Sequence, residues 1–168
     1  MKTKTKYLVI LIALLFISIF SLRTVDVLMI KDVEKDSILF AQSVKPGFEF
    51  ATLIRHSVQK TPVYEYYRVE EDETLTVTRT ELQDLGWGMP SILDHKVEFK
   101  DNYMIMNDIN RNLSFLPFRV NYIAEPYLII GDKKINLMEH VEDNQLIHVY
   151  IQRMWNASYI LRGKFNVF

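Results

Sequence analysis

Between Val25 and Ile151 the chain is built of runs of four to eight residues at close spacing, with no helical period longer than two turns. Such runs suit strands rather than helices carrying a buried stripe. The region therefore reads as all-β, an antiparallel sandwich or partly closed barrel. Val25 to Ile30 and Ile38 to Gln42 are the first two strands, separated by the charged turn from Lys31 to Asp36. Lys45-Pro46-Gly47 is a tight turn. Phe48 to His56 then alternates, with Phe48, Phe50, Thr52, Ile54 and His56 on one face and Glu49, Ala51, Leu53 and Arg55 on the other. Proline lacks a ladder donor, so Ser57 to Pro62 is a loop and Val63 to Glu70 the next strand, with Glu65, Tyr67 and Val69 sharing a face. Thr74 to Leu82 repeats threonine at 74, 76, 78 and 80, a face read as solvated, opposite Leu75 and Val77. Gly86-Trp87-Gly88-Met89-Pro90 interrupts the pattern as a shaped loop. Val97 to Phe99, Tyr103 to Met106, Leu113 to Tyr122, Tyr127 to Ile130, Ile135 to Leu137 and Leu146 to Ile151 are further strands, and Gly131-Asp132 is the clearest hairpin turn. Periodicity does not decide whether the apolar tail from Trp155 is strand or helix.

Tyr7 to Leu22 holds no charge, proline or glycine and follows Lys2, Lys4 and Lys6. As a helix these residues span about 24 Å, short of a hydrocarbon core of about 30 Å, a gap that snorkelling by Lys6 and Arg23 can close. Signal-peptide cleavage wants small residues at minus three and minus one. Ile19-Phe20-Ser21 and Ser18-Ile19-Phe20 each place a bulky one there. The expectation is a single N-terminal transmembrane helix, residues 1–24 being a signal anchor and residues 25–168 an extracytoplasmic β domain; a freely secreted binding protein is the alternative if the segment is cleaved. The lysines before the span put the domain outside the cytoplasm. Without those three, 17 of the 20 basic residues face 21 acidic ones, a balance that argues against a nucleic-acid partner. There is no cysteine, hence no disulfide, thiol nucleophile or thiolate site.

His56, Ser57 and Glu65 supply a base, a nucleophile and an orienting acid, the basis for an extracytoplasmic hydrolase as alternative function. Neighbours on one strand point to opposite faces, however, so the favoured reading makes His56 a core histidine hydrogen-bonded to an inward-facing Glu65 across the sheet. His56, His95, His140 and His148 lack paired metal-ligand spacing, and no metal or cofactor is expected. Arg55, Lys60 and Arg68 read first as solvated basic residues on a sheet, with a clamp for a substrate carboxylate, through the forked donors of guanidinium groups, as the alternative. Gly86 and Gly88 precede neither a lysine nor a helix start of the phosphate-loop kind. Trp87 and Met89 are either a plug over the core or a contact for another protein.

His56-Ser57-Val58, Lys60-Thr61-Pro62-Val63, Glu65 and Tyr67, followed by Gly86-x-Gly88-x-Pro90, resemble the hallmark of a bacterial family, domain of unknown function 1850. The resemblance implies a small, singly anchored extracytoplasmic protein, encoded beside TRAP-type transporter permeases of the TAXI class, with no catalytic residues established. It points to a membrane-tethered accessory or binding protein whose partner is a TRAP-type permease or its solute receptor. The loops Gly86 to Pro90 and Ser57 to Pro62 would make the contact.

Overall fold

The computed structural model describes the backbone of residues 2–83 and 96–162 and the side chains of residues 6–83 and 96–161. Helix α1 (Lys2–Ser21) leads into β1 (Thr24–Asp32), β2 (Ser37–Val44), β3 (Glu49–Arg55), β4 (Pro62–Val69) and β5 (Leu75–Leu82). After the undescribed stretch come β6 (Lys96–Lys100), β7 (Tyr103–Asn107), β8 (Arg111–Leu113), β9 (Leu116–Arg119), β10 (Tyr127–Ile130), β11 (Lys133–Asn136), a 3-10 turn (Leu137–Glu139), β12 (Leu146–Trp155) and α2 (Asn156–Arg162). The described strands form two antiparallel sheets: four strands in the order β2-β1-β12-β9, and eight in the order β11-β10-β3-β4-β5-β7-β6, with β8 also paired to β5. Neither sheet closes on itself.

One apolar cluster joins the sheets. Leu28, Ile30, Ile147, Val149 and Ile151 of the first meet Phe50, Tyr67, Val69, Leu75, Val77 and Leu128 of the second. Strand β1 is buried on both faces from Val27 to Ile30, because α2 and a second cluster of Val27, Met29 and Ala41 cover its outer side.

Turn chemistry fixes the hairpins. Asp32, 1% exposed, accepts the backbone amides of Glu34 and Lys35 through Oδ1, both at 3.0 Å, and so shapes the β1–β2 turn. Gly47, with φ of +85°, closes the turn before β3, where the Phe48 amide donates to the Lys45 carbonyl at 3.0 Å.

Three expectations change. The threonine face is not solvated: Thr76 and Thr80 are 6% and 7% exposed. Pairing jumps from Tyr66↔Arg79 to Tyr67↔Val77, so Thr78 is the extra residue of a bulge, and the alternation flips beyond it. Thr80 and Leu82 thus join Leu75 and Val77 on the inner face, while Thr76 is covered between Arg68 and Asn112. Leu113 to Tyr122 is not one strand but the last residue of β8 and the whole of β9, two strands that belong to different sheets. Ile135 to Leu137 ends early, since Asn136 caps a 3-10 turn by accepting the Met138 amide at 3.1 Å.

The helices meet where the β domain begins. The Asn156 amide donates to the Arg23 carbonyl at 2.7 Å, and its side-chain amide to the Phe20 carbonyl at 3.4 Å. Among the described residues no helix is long and apolar enough to cross a membrane. Val44 pairs with Asp26 near this point, so β3 starts close to α1 and runs away from it. Arg55 lies about 20 Å farther along the strand than Glu49, at the end of the sheet remote from the helix.

Candidate functional site

Strand β3 stops at Arg55, and the chain returns through a turn that His56 organises. The His56 amide donates to the Thr61 carbonyl at 2.8 Å, and the Lys60 amide to the His56 carbonyl at 3.0 Å. Imidazole Nδ1 accepts the backbone amides of Val58 and Gln59 at 3.3 and 3.0 Å. A ring accepting at Nδ1 carries the proton of its neutral form on Nε2. Lys60 takes a left-handed φ of +59°, a strained conformation for a residue with a side chain, which the surrounding bonds hold. Pro62 then opens β4 opposite Arg55.

This turn forms one wall of a depression of about 380 Å³ on the outer face of the eight-stranded sheet. Arg55, Lys60 and Lys134 supply three cations and Glu125 one carboxylate, a surplus of two positive charges. Tyr64 and Tyr127 flank its floor, both paired with Leu53 between them. The Arg55 amide donates to the Ala124 carbonyl at 2.6 Å, which brings the loop before β10 alongside, and its guanidinium meets Glu125 Oε1 at 2.7 Å. Both partners are roughly half exposed, so water screens the pair and it contributes little to stability. Lys134 lies 4.1 Å over the Tyr127 ring. Lys60 holds no ion pair among the described residues.

Glu65 belongs to a different place. It sits on the inner face between Thr52 and Thr80, where Oε2 accepts the Tyr67 hydroxyl at 2.8 Å and Oε1 lies 3.8 Å from Arg111. Phe50 stacks on Tyr67 at 5.1 Å. Burial pushes the Tyr67 phenol far up, and the adjacent carboxylate adds to the shift. The row Thr52, Glu65, Thr80 separates the main core from a smaller cluster of Val63, Leu82 and Met104.

His56 and Glu65 are therefore not buried neighbours. The ladder sets Glu65 opposite Thr52, four residues before His56 and about 13 Å along the strand. His56 is half-buried at the turn and Ser57 is exposed, so base, nucleophile and acid are not brought together. Arg68 leaves the clamp as well: it faces Glu49 at the other end of β4 and pairs with Glu70 at 2.9 Å. Arg55 and Lys60 stay together. Tyr127, Glu125 and Lys134 escaped sequence reasoning; the Gly131-Asp132 signal marks their hairpin, but nothing in the sequence says that it pairs with β3. Of the histidines, His148 lies in the first sheet, its ring 4.5 Å from Phe115. No three histidine, aspartate or glutamate side chains gather to hold a metal among the described residues. Gly86, Trp87, Gly88, Met89, Pro90 and His95 lie outside the described residues.

Replacing His56 by alanine should lower stability by about 1 kcal/mol, the loss of one side-chain cap, or roughly 2–4 °C in melting temperature. Asparagine, whose carbonyl accepts the same following amides, should restore it. An unchanged melting temperature in His56→Ala would show that the cap carries no energy.

A model of the family Domain of unknown function (DUF1850) matches residues 50–137, just over half of the chain. That span holds every strand of the larger sheet except the first residue of β3, together with the whole depression. No curated protein and no solved structure matches the chain.

Proposed function

Because the chain belongs to the DUF1850 family, we propose that it is a membrane-tethered binding protein outside the cytoplasm, taking carboxylate-bearing solutes beside its His56–Pro62 turn. The observation that carries this reading is the cationic surplus of the depression, set between two tyrosines on a turn held by His56. Guanidinium and ammonium groups bind carboxylates through charge-assisted hydrogen bonds, and the tyrosine rings accept the apolar body of a ligand. The apolar run of α1 supports a tether, and the two open sheets sharing one core support a sandwich rather than a barrel.

Titration of the full chain in lipid nanodiscs tests the site, with benzoate and succinate as probes and their amides as neutral controls. The acids should bind and the amides should not; equal or absent response to both would overturn the reading. Glu125→Gln removes the internal competitor for Arg55 and should tighten carboxylate binding several-fold.

The same geometry bears on the partner. The depression opens at the end of the sheet remote from α1, which favours a TRAP-type solute receptor over the permease as the protein it meets. Tethering holds the module at high effective concentration near such a partner, so a weak contact suffices. The receptor should co-purify with the full chain from mildly solubilised membranes, and less of it with folded Lys60→Glu. Absence of every transporter component from the wild-type preparation would end this assignment.

A further inference from the structure

Large apolar side chains stand exposed at the foot of the domain, where α1 leaves it. Thr24, first residue of β1, pairs with Trp155, last residue of β12. Asn156 ties this corner to Phe20 and Arg23 by the two hydrogen bonds already described, so Trp155 stands level with the C-terminal end of α1. From there α2 runs against α1, β1 and β12. Tyr159 faces the outer side of the four-stranded sheet, joining the cluster of Val27, Met29 and Ala41 while its hydroxyl accepts the Ser43 amide at 3.2 Å. With Tyr159 fixed inward, the next two residues stand out: Ile160 is 55% and Leu161 75% exposed. Beside them Trp155 is 53% and Leu22 63% exposed. Four large apolar side chains thus stand exposed on the segments that meet at the C-terminal end of α1.

We propose that Trp155, Ile160 and Leu161 sit in the headgroup layer of a lipid bilayer, with α2 lying along the surface beside the point where α1 enters it. This rests on the tether proposed above. The occupant follows from continuity: if α1 is in lipid, its last turn and everything hydrogen-bonded to it are at the lipid–water boundary. Tryptophan is favoured there, since its ring is apolar and its N–H meets water or phosphate. Arg23, exposed at the same corner, can reach phosphate while its stem lies along the apolar layer. Sinking the foot into the interface also answers the shortness of α1. A span with too few apolar residues is relieved when flanking residues occupy the interface.

The test uses the full chain reconstituted into phosphatidylcholine–phosphatidylglycerol vesicles, with lipids brominated either near the carbonyl or near the methyl end of the acyl chain. The protein has two tryptophans, so Trp87→Phe leaves the emission of Trp155 alone. Should that variant unfold, the difference between wild type and Trp155→Phe gives the same signal. Shallow bromines should quench Trp155 more than deep ones, and aqueous acrylamide should quench it only weakly. Flotation in alkaline carbonate is scored on the same samples. A chain that floats with Trp155 untouched by bromine but open to acrylamide overturns the interfacial foot and leaves the tether standing. A floating chain whose Trp155 is shielded from both quenchers also overturns it, because protein then covers the patch. A chain that fails to float overturns tether and foot together.

Discussion

Tyr67→Ala should lower the unfolding free energy by about 3–5 kcal/mol, the range for deleting a buried aromatic ring. Tyr67 is fully buried in the cluster shared by both sheets, stacked on Phe50, with β5 beside it at Val77. Tyr67→Phe isolates the hydroxyl. It keeps the ring but strips Glu65 of its donor, which should cost about 1–3 kcal/mol. Alkali supplies a second readout. The folded-state pKa of this phenol is raised above its unfolded value, so the folded chain holds a proton that the unfolded chain releases. Its contribution is complete below the ordinary tyrosine pKa of about 10 and is lost above it, by up to about 1.4 kcal/mol per pH unit. Tyr66 and Tyr103 are shifted upward too, both chiefly by burial, so Tyr67→Phe should flatten the alkaline decline without abolishing it. Urea unfolding of the detergent-solubilised chain between neutral pH and pH of about 11 checks both claims. An alkaline slope identical in wild type and Tyr67→Phe would remove Tyr67 as its source.

Sequence patterns locate strands better than they locate faces. Every strand expected before Leu113 is present, because short alternating runs bounded by Pro46-Gly47, Thr61-Pro62 or an acidic turn have few other ways to satisfy their backbone. Side-chain direction is another matter. One extra residue at Thr78 inverts the inside and outside of β5, and no alternation count can see a bulge. Glu65 is legible as inward-facing since its strand keeps an unbroken period of two from Val63 to Val69. His56 is not, because the same period carried one residue too far assigns it to the core when the strand has already ended at Arg55. The candidate site was half visible for the same reason. Arg55 and Lys60 are close in sequence, whereas Glu125, Tyr127 and Lys134 arrive through a sheet pairing that only long-range packing decides.

Alanine at Arg55 or at Lys60 should each weaken carboxylate binding by roughly 10- to 100-fold, the equivalent of one charge-assisted hydrogen bond of about 1.5–3 kcal/mol. Melting temperature should hardly move, since an exposed ion pair contributes about 0–1 kcal/mol and Lys60 has no described ion pair to lose. Arg68→Ala is the control. It removes the same charge from the same sheet at the opposite end of β4, so a general electrostatic effect would show there and a site effect would not. His56→Ala separates positioning from contact. Its ring is engaged with the amides of Val58 and Gln59, so its loss should loosen the turn that presents Lys60 and weaken binding less than Lys60→Ala does. His56→Asn should recover affinity together with stability, because it restores the acceptor and not the imidazole. The two-charge surplus predicts a further sign: rising salt should weaken the wild type more than either single-cation variant. Equal losses in Arg55→Ala and Arg68→Ala, or binding indifferent to Lys60, would place the carboxylate somewhere other than beside the His56–Pro62 turn.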